Sequence, residues 1–175
     1  TDVVAAGGSS NPAVLYMTND YGSGLGDNFQ SNWSGSVCTQ VAYDPTEGSY
    51  DASTLAQAVV DAGCDSALLI SYATDGAAIV EALKSQGFSG TIYGADGIAD
   101  AAFEQAFTDA SAVSGIIATK PRPGESSTAQ STFDSAYSAA GGDAEGIYTH
   151  ETYDAVKIIA RAATADKDEN LRDDI

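Results

Sequence analysis

Short apolar runs recur along the chain and are separated by longer stretches with a different spacing of apolar residues. In one of these runs, 37–43, the β-branched residues Val37, Thr39 and Val41 occupy alternate positions, which is the period of a strand. The runs at other positions are continuously apolar, as in strands buried on both faces. The pattern predicts strands at 13–17, 37–43, 66–71, 90–93 and 115–119.

The intervening stretches have helical periodicity. Leu25, Phe29 and Trp33 lie at positions i, i+4 and i+8, on one face of a helix. Similar stripes predict further helices around Val59, Val80, Ala102, Phe133 and Val156. The last helix is expected to be the longest, from 148 to about 164.

Strands that alternate with helices pair in parallel through right-handed crossovers. We therefore expect an α/β fold, a doubly wound parallel five-stranded sheet with helices on both faces, in the strand order 2-1-3-4-5. The 175 residues suit one domain. We place it at 13–164, after a flexible lead-in at 1–12 and before an acidic tail at 165–175 that leads to a segment outside this sequence.

The charge of the chain restricts its partners. Asp and Glu number 25 against 7 Lys and Arg, for a net charge of -18, and the first basic residue is Lys84. Nucleic acids and anionic membranes bind clustered basic residues, so neither is an expected partner. The charge suits either a protein of a salty environment or an ordinary acidic protein outside the cytoplasm. No signal peptide is visible, which fits a cytosolic protein, a removed leader or an excised piece.

Cys38 and Cys64 are the two cysteines, and His150 is the single histidine. These residues are too few, and wrongly spaced, for a zinc site. The cysteines can form one disulfide or remain two buried thiols. We predict the disulfide if the protein matures in an oxidising compartment.

The acidic tail contains an incomplete calcium-loop pattern. Asp166, Asp168 and Asn170 fall at the first, third and fifth positions, but Leu171 stands where the loop requires glycine. We interpret the segment as a solvated tail and predict neither a metal site nor a cofactor.

Catalytic motifs are also incomplete. Gly22, Gly24 and Gly26 follow the first strand, but their spacing differs from that of the dinucleotide fingerprint, and acidic neighbours would repel a pyrophosphate. No G-x-S-x-G sequence accompanies His150 to suggest a serine hydrolase. We therefore predict no catalytic residues and no enzyme activity, with a nucleotide-binding enzyme domain as the less favoured alternative.

A site is expected where the strands end. In doubly wound sheets, ligands bind outside the carboxyl ends of the strands. The loops that leave those ends carry acids, hydroxyl groups and tyrosines without a basic cluster, which suits a small ligand with a positive group and an apolar body. These loops lie at 18–22, 71–75, 95–97 and 120–123.

Several motifs resemble one known family. Residues 14–33 read VLYMTNDYGSGLGDNFQSNW, an apolar strand followed by N-D-Y-G-x-G. Further matches follow in order at 43–45, 65–68, 87–88, 92–94, 96–97, 118–121 and 153–156. The chain thereby resembles the leucine/isoleucine/valine-binding proteins, the extracytoplasmic solute-binding components of ABC transporters, over about residues 13–164.

That resemblance implies a type I periplasmic-binding-protein fold, of which this chain is the second lobe only. The missing first lobe, a small solute such as a branched-chain amino acid and a membrane permease are the implied partners, and the implied location is extracytoplasmic. A sensor domain of the same fold is an alternative function.

The resemblance also implies the ligand-binding residues Tyr21, Tyr72 and Asp96. The tyrosines would line the cleft, and Asp96 would pair with the ammonium group of the ligand. The family often has Glu at this last position, so the shorter Asp96 implies either a deeper ligand or another solute. Each residue also has a structural interpretation: Tyr21 can pack on its helix, Tyr72 can plug a strand end, and Asp96 can cap a helix.

Overall fold

The computed structural model describes residues 1–121, 124 and 126–165, with the side chains of the last two residues left out. Its strands are β1 Pro12–Met17, β2 Thr39–Tyr43, β3 Ser66–Ile70, β4 Thr91–Gly94 and β5 Ile117–Ala118. Its helices are α1 Asp2–Ala6, α2 Asp20–Asn32, α3 Ala52–Ala62, α4 Ala73–Ser85, α5 Ala101–Gln105, α6 Thr128–Ala139 and α7 Thr149–Ala165. Two 3₁₀ turns lie at Asp96–Ile98 and Ala110–Val113.

The strands form one parallel sheet in the order β2-β1-β3-β4-β5. This confirms the predicted fold class and strand order. The fifth strand is shorter than the predicted 115–119, and Ile117 is exposed. It pairs with β4 alone, through two residues, as an edge strand that stops before Pro121 can interrupt the ladder.

The sheet packs on both faces. Ala13, Leu15 and Met17 of β1 face a core built with α3, α4 and α5, whereas Val14 faces a second core that includes Phe29 of α2. Side chains of a strand alternate between its two faces, so one apolar run supplies both cores. β3 is buried along its whole length for the same reason.

The segment 1–12, which the sequence analysis placed before the domain, contains a short helix and the first residue of β1. Residues 2–6 form α1, and Val4 is buried against Val14 and Phe29. Pro12 is already the first residue of β1. A helix of five residues is too short to show periodicity, and it is held by this tertiary contact rather than by its own propensity.

The chain divides into two compact units, the first comprising Thr1–Lys120 and the second beginning at Pro121. The first contains the whole sheet. In the second, the ring of Phe133 on α6 lies 4.4 Å from that of Tyr153 on α7. His150 Nε2 lies 2.6 Å from Asp134 Oδ1, which links the same two helices.

Three further findings concern the sequence predictions. Among the described residues, no helix is long and apolar enough to cross a membrane. Nor do the described residues include a group of His, Cys, Asp and Glu that could hold a metal ion. The proposed acidic tail and its incomplete calcium pattern lie almost entirely outside the described residues.

Cys38 and Cys64 form a disulfide at the amino-terminal edge of the sheet, with their Cα atoms 5.6 Å apart. Cys38 precedes β2, and its backbone N–H donates to the carbonyl of Pro12 at the start of β1. Cys64 follows the left-handed Gly63 that ends α3. The disulfide therefore joins the starts of β2 and β3, which lie on either side of β1.

The same edge is held by the carboxylate of Asp65. It accepts hydrogen bonds from the backbone N–H groups of Ser10 and Asn11, at 2.7 and 2.8 Å, and from the hydroxyl groups of Ser9 and Ser10. Desolvation opposes ionisation, but these bonds outweigh it and hold the pKa of Asp65 well below its ordinary value. The segment that enters β1 is thus tied to the start of β3.

Removal of the disulfide is expected to destabilise the chain. Its cysteines are 26 residues apart, and closing a loop of that length stabilises a fold by about 3 kcal/mol on the chain-entropy estimate. We expect Cys38→Ala/Cys64→Ala to lose this amount of unfolding free energy in urea titrations. Wild-type protein treated with a reductant is the matched control and should show the same loss. Equal stability of all three samples would contradict the prediction.

Asp65 is expected to make stability depend on pH below its ordinary pKa. Because folding lowers its pKa, its contribution is complete well above the unfolded value of about 4 and is lost as the pH falls below it. Asp65→Asn should cost about 1 kcal/mol at neutral pH, as for an exposed helix cap. Urea titrations should show that the difference in unfolding free energy between Asp65→Asn and wild type is smaller at pH 3 than at neutral pH. A difference that stays constant with pH would contradict this assignment.

Candidate functional site

The structure brings Tyr21, Tyr72 and Asp96 together at the carboxyl edge of the sheet. The hydroxyl of Tyr21 donates to Asp96 Oδ1 at 2.8 Å. The rings of Tyr21 and Tyr72 are stacked, with centroids 5.4 Å apart and planes 13° apart. The three side chains come from the ends of β1, β3 and β4 and form one cluster.

Tyr21 is positioned by the start of α2. The side chain of Asn19 accepts a hydrogen bond from Gly22 N–H at 2.8 Å and caps the helix. A Cβ on Gly22 would lie 2.1 Å from the carbonyl oxygen of Met17, so only glycine allows the helix to begin this close to β1. The N-D-Y-G sequence is therefore a strand-to-helix turn that holds Tyr21 at the edge of the sheet.

The phenol of Tyr21 has two hydrogen-bond partners. It donates to Asp96 and accepts from the backbone N–H of Gly97 at 2.9 Å. Partial burial and the bond to Asp96 raise the pKa of Tyr21 above its ordinary value. The phenol therefore remains a neutral donor at physiological pH, and it connects the β1–α2 loop to the turn after β4.

Tyr72 lies at the N-cap position of α4 and is 50% exposed. A residue that plugs the end of a strand would be buried, so this exposure favours the binding interpretation over the structural one. One face of the ring rests on Tyr21. The remaining surface of the ring is accessible from outside the sheet.

Asp96 is the first residue of a 3₁₀ turn and is partly buried. The cap of the following helix α5 is Asp100, whose side chain accepts from Phe103 N–H at 3.2 Å. The capping role considered for Asp96 thus belongs to Asp100. The carboxylate of Asp96 instead lies against Tyr21.

Gly97 is a part of the cluster for which the sequence analysis proposed no role. A Cβ there would lie 2.5 Å from the carbonyl oxygen of Ser71, 2.9 Å from the hydroxyl of Tyr21 and 3.2 Å from Cδ1 of Tyr72. The turn after β4 therefore approaches both tyrosines so closely that no side chain would fit at position 97. The Asp-Gly dipeptide after a predicted strand was the available signal.

Other candidates from the sequence lie elsewhere. His150 pairs with Asp134 in the second unit. Gly26 packs against the ring of Tyr16, and nothing lies within 4 Å of a Cβ placed on Gly24. Gly22 allows α2 to begin close to β1, and Gly26 packs on a ring, whereas Gly24 has no packing role. The three glycines therefore do not form a phosphate-binding loop.

The sequence profile described as "Periplasmic binding protein" matches residues 1–173. The chain belongs to this family. Among curated proteins, no relative matches it.

Solved structures of similar fold include the LivJ substrate-binding protein of a branched-chain amino acid transporter from Streptococcus pneumoniae, in complex with isoleucine. It is 22% identical, with a TM-score of 0.79 over 98% of this chain and 50% of that one. An extracellular ligand-binding receptor from Rhodopseudomonas palustris is 17% identical, with a TM-score of 0.78 over 99% of this chain and 52% of that one.

A third similar structure is an extracellular ligand-binding receptor from Desulfohalobium retbaense. It is 21% identical, with a TM-score of 0.74 over 94% of this chain and 29% of that one. The chain thus spans about half the length of the first two structures and less of the third. These likenesses establish the type I periplasmic-binding fold, of which the chain matches one part.

Gly97→Ala is expected to disturb the cluster. The new methyl group meets the backbone of Ser71 and the hydroxyl of Tyr21, so the turn must shift, at a cost of about 1–3 kcal/mol typical of overpacking. Urea titrations should detect the loss. Gly24→Ala is the matched control, since its Cβ meets nothing within 4 Å and alanine favours the helix. Equal stability of the two variants would contradict the close approach at Gly97.

Proposed function

We propose that the chain is a solute-binding lobe of an extracytoplasmic ABC-transporter protein, which captures an amino acid in a cleft between two lobes. The observation that carries the proposal is the stack of Tyr21 on Tyr72 beside the carboxylate of Asp96. An aromatic surface and a carboxylate side by side suit a small ligand with an ammonium group and an apolar body.

The cluster has the polarity that such a ligand requires. Asp96 offers an anionic acceptor, and the hydroxyl of Tyr21, a neutral donor, orients it. The accessible surface of Tyr72 can contact the apolar part of the ligand or lie against its cation. No reacting group is needed, so the proposed role is binding without catalysis.

Branched-chain amino acids are the first candidates for the solute. The LivJ structure contains isoleucine, and the chain shares its fold. Asp96 is one methylene shorter than the glutamate often found at this position of the family, so the ligand must lie deeper or differ in size. Related small solutes with an ammonium group are therefore part of the same proposal.

The opposite wall of the cleft belongs, in this proposal, to a first lobe that this sequence does not include. The chain spans about half of the solved LivJ structure. The first lobe would hold the carboxylate of the amino acid, and a membrane permease would receive the solute. The disulfide fits an oxidising location outside the cytoplasm.

A sensor domain of the same fold is the second candidate, because two of the similar structures bear the name of extracellular ligand-binding receptors. The cluster would bind the same kind of solute in either role. A nucleotide-binding enzyme domain is less favoured. Among the described residues of the four loops, Lys120 is the one basic side chain, and a phosphate site needs more positive charge.

The experiment that tests the proposal is calorimetric titration of the two-lobed protein with a panel of amino acids. Asp96→Asn keeps the size of the side chain and removes its charge. Because it leaves a buried ammonium group without its partner, it should weaken binding by about 2–4 kcal/mol with little change in melting temperature.

Asp100→Ala is the matched control. It removes the cap of α5 and should lower the melting temperature without changing affinity. Unchanged affinity in Asp96→Asn across the panel would remove Asp96 from the site. Failure of the wild-type protein to bind any amino acid would contradict the proposed solute class.

A further inference from the structure

A buried polar pair lies beneath the candidate site and takes no part in the proposed binding. The hydroxyl of Tyr43, at the end of β2, donates to Oδ2 of Asp75 in the first turn of α4. Tyr43 is 4% exposed and Asp75 is 7% exposed. Apolar side chains would fill this space at lower cost, since a buried carboxyl group must be compensated by hydrogen bonds.

Tyr43 contacts the two segments next to the tyrosines of the site, which are the loop before α2 and the first turn of α4. Its backbone carbonyl accepts from Thr18 N–H at 2.8 Å, at the start of the loop that leads to Tyr21. Its phenol reaches Asp75, three residues after Tyr72 on the first turn of the same helix. One residue of β2 is thus bonded to the elements that position each ring of the stack.

The turn between β3 and α4 is not held by an N-cap side chain. Tyr72 occupies the N-cap position, but its side chain makes no capping bond to α4. Ser71 and Gly97 meet there in a contact too close for any Cβ on Gly97. A small movement of the start of α4 would therefore shift the ring of Tyr72. Because Ser71 contacts Gly97, the same movement would shift the Gly97 N–H that donates to the phenol of Tyr21.

We propose that Tyr43 and Asp75 are a positioning pair, whose hydrogen bond sets the start of α4 so that Tyr72 stacks on Tyr21 and Gly97 N–H reaches the phenol. The effect of this pair on solute affinity rests on the proposed function, whereas its effect on the geometry does not. Neither residue touches the ligand. They act by pre-organising the rings before binding.

The first arm of the test needs no ligand. In amide spectra of this 175-residue chain, the Gly97 N–H reports the bond to Tyr21 through its chemical shift and its protection from exchange. Tyr43→Phe and Asp75→Ala should each shift this signal and reduce its protection. Asp75→Asn retains an acceptor for the phenol and should stay close to wild type.

The matched control separates positioning from stability alone. Val59→Ala makes a cavity in the same core, on α3, at a residue with no exposed surface. It should lower the melting temperature and leave the Gly97 signal in place. If Tyr43→Phe and Asp75→Ala disturb that signal no more than Val59→Ala does, the positioning role is overturned.

The second arm measures solute affinity in the two-lobed protein, well below the melting temperature of each variant. Tyr43→Phe and Asp75→Ala should weaken binding about tenfold, which corresponds to about 1.4 kcal/mol. Asp75→Asn should retain affinity. Unchanged affinity in all three variants would overturn the link to binding. If wild type binds no solute, the proposed function fails, and the first arm alone decides the positioning role.

Discussion

The candidate site depends on the two hydrogen bonds made by the hydroxyl of Tyr21. This hydroxyl lies between Asp96, to which it donates, and Gly97 N–H, from which it accepts. Both requirements are met because the phenol is neutral, since burial and the carboxylate raise its pKa. A phenylalanine would preserve the stack on Tyr72 but leave a carboxylate and a backbone N–H without this partner. The bond therefore explains both the geometry of Asp96 and the close approach of the turn after β4.

The two edges of the sheet are built for different purposes. The amino-terminal edge is closed by the Cys38–Cys64 disulfide and by the bonds of Asp65 to the segment that enters β1. These contacts tie together the starts of β1, β2 and β3. The carboxyl edge can then leave Tyr72 half exposed, because the stability of the sheet does not require that ring to be buried. A cross-linked edge at one end of the strands and an exposed aromatic surface at the other are compatible with the proposed binding site.

Local pattern was sufficient to predict the order of the sheet, because the strands are separate short runs and the crossovers between the first four strands are helices of 11 to 13 residues. It failed where tertiary contact decides the outcome. The helix that buries Val4 is too short for periodicity, and the two-residue β5 is shorter than its apolar run. For the site, the resemblance implied Tyr21, Tyr72 and Asp96, which the structure places in one cluster, but the contacts of Gly97 and Tyr43 depend on distances between segments that are far apart in the chain. No spacing within one segment contains that information.

The charge of the site follows from what surrounds it. The described loops at the carboxyl edge bring together carboxylates and phenols, and a basic side chain occurs there at Lys120 alone. A phosphate or carboxylate ligand would have to approach this surface against the net charge of the chain, whereas an ammonium group would be attracted to it. Screening by salt weakens that attraction over long distances, but it acts much less on a pair enclosed between two surfaces. In the proposed two-lobed protein, selectivity for a cationic group would therefore depend on closure of the cleft over Asp96 more than on the acidity of the whole surface.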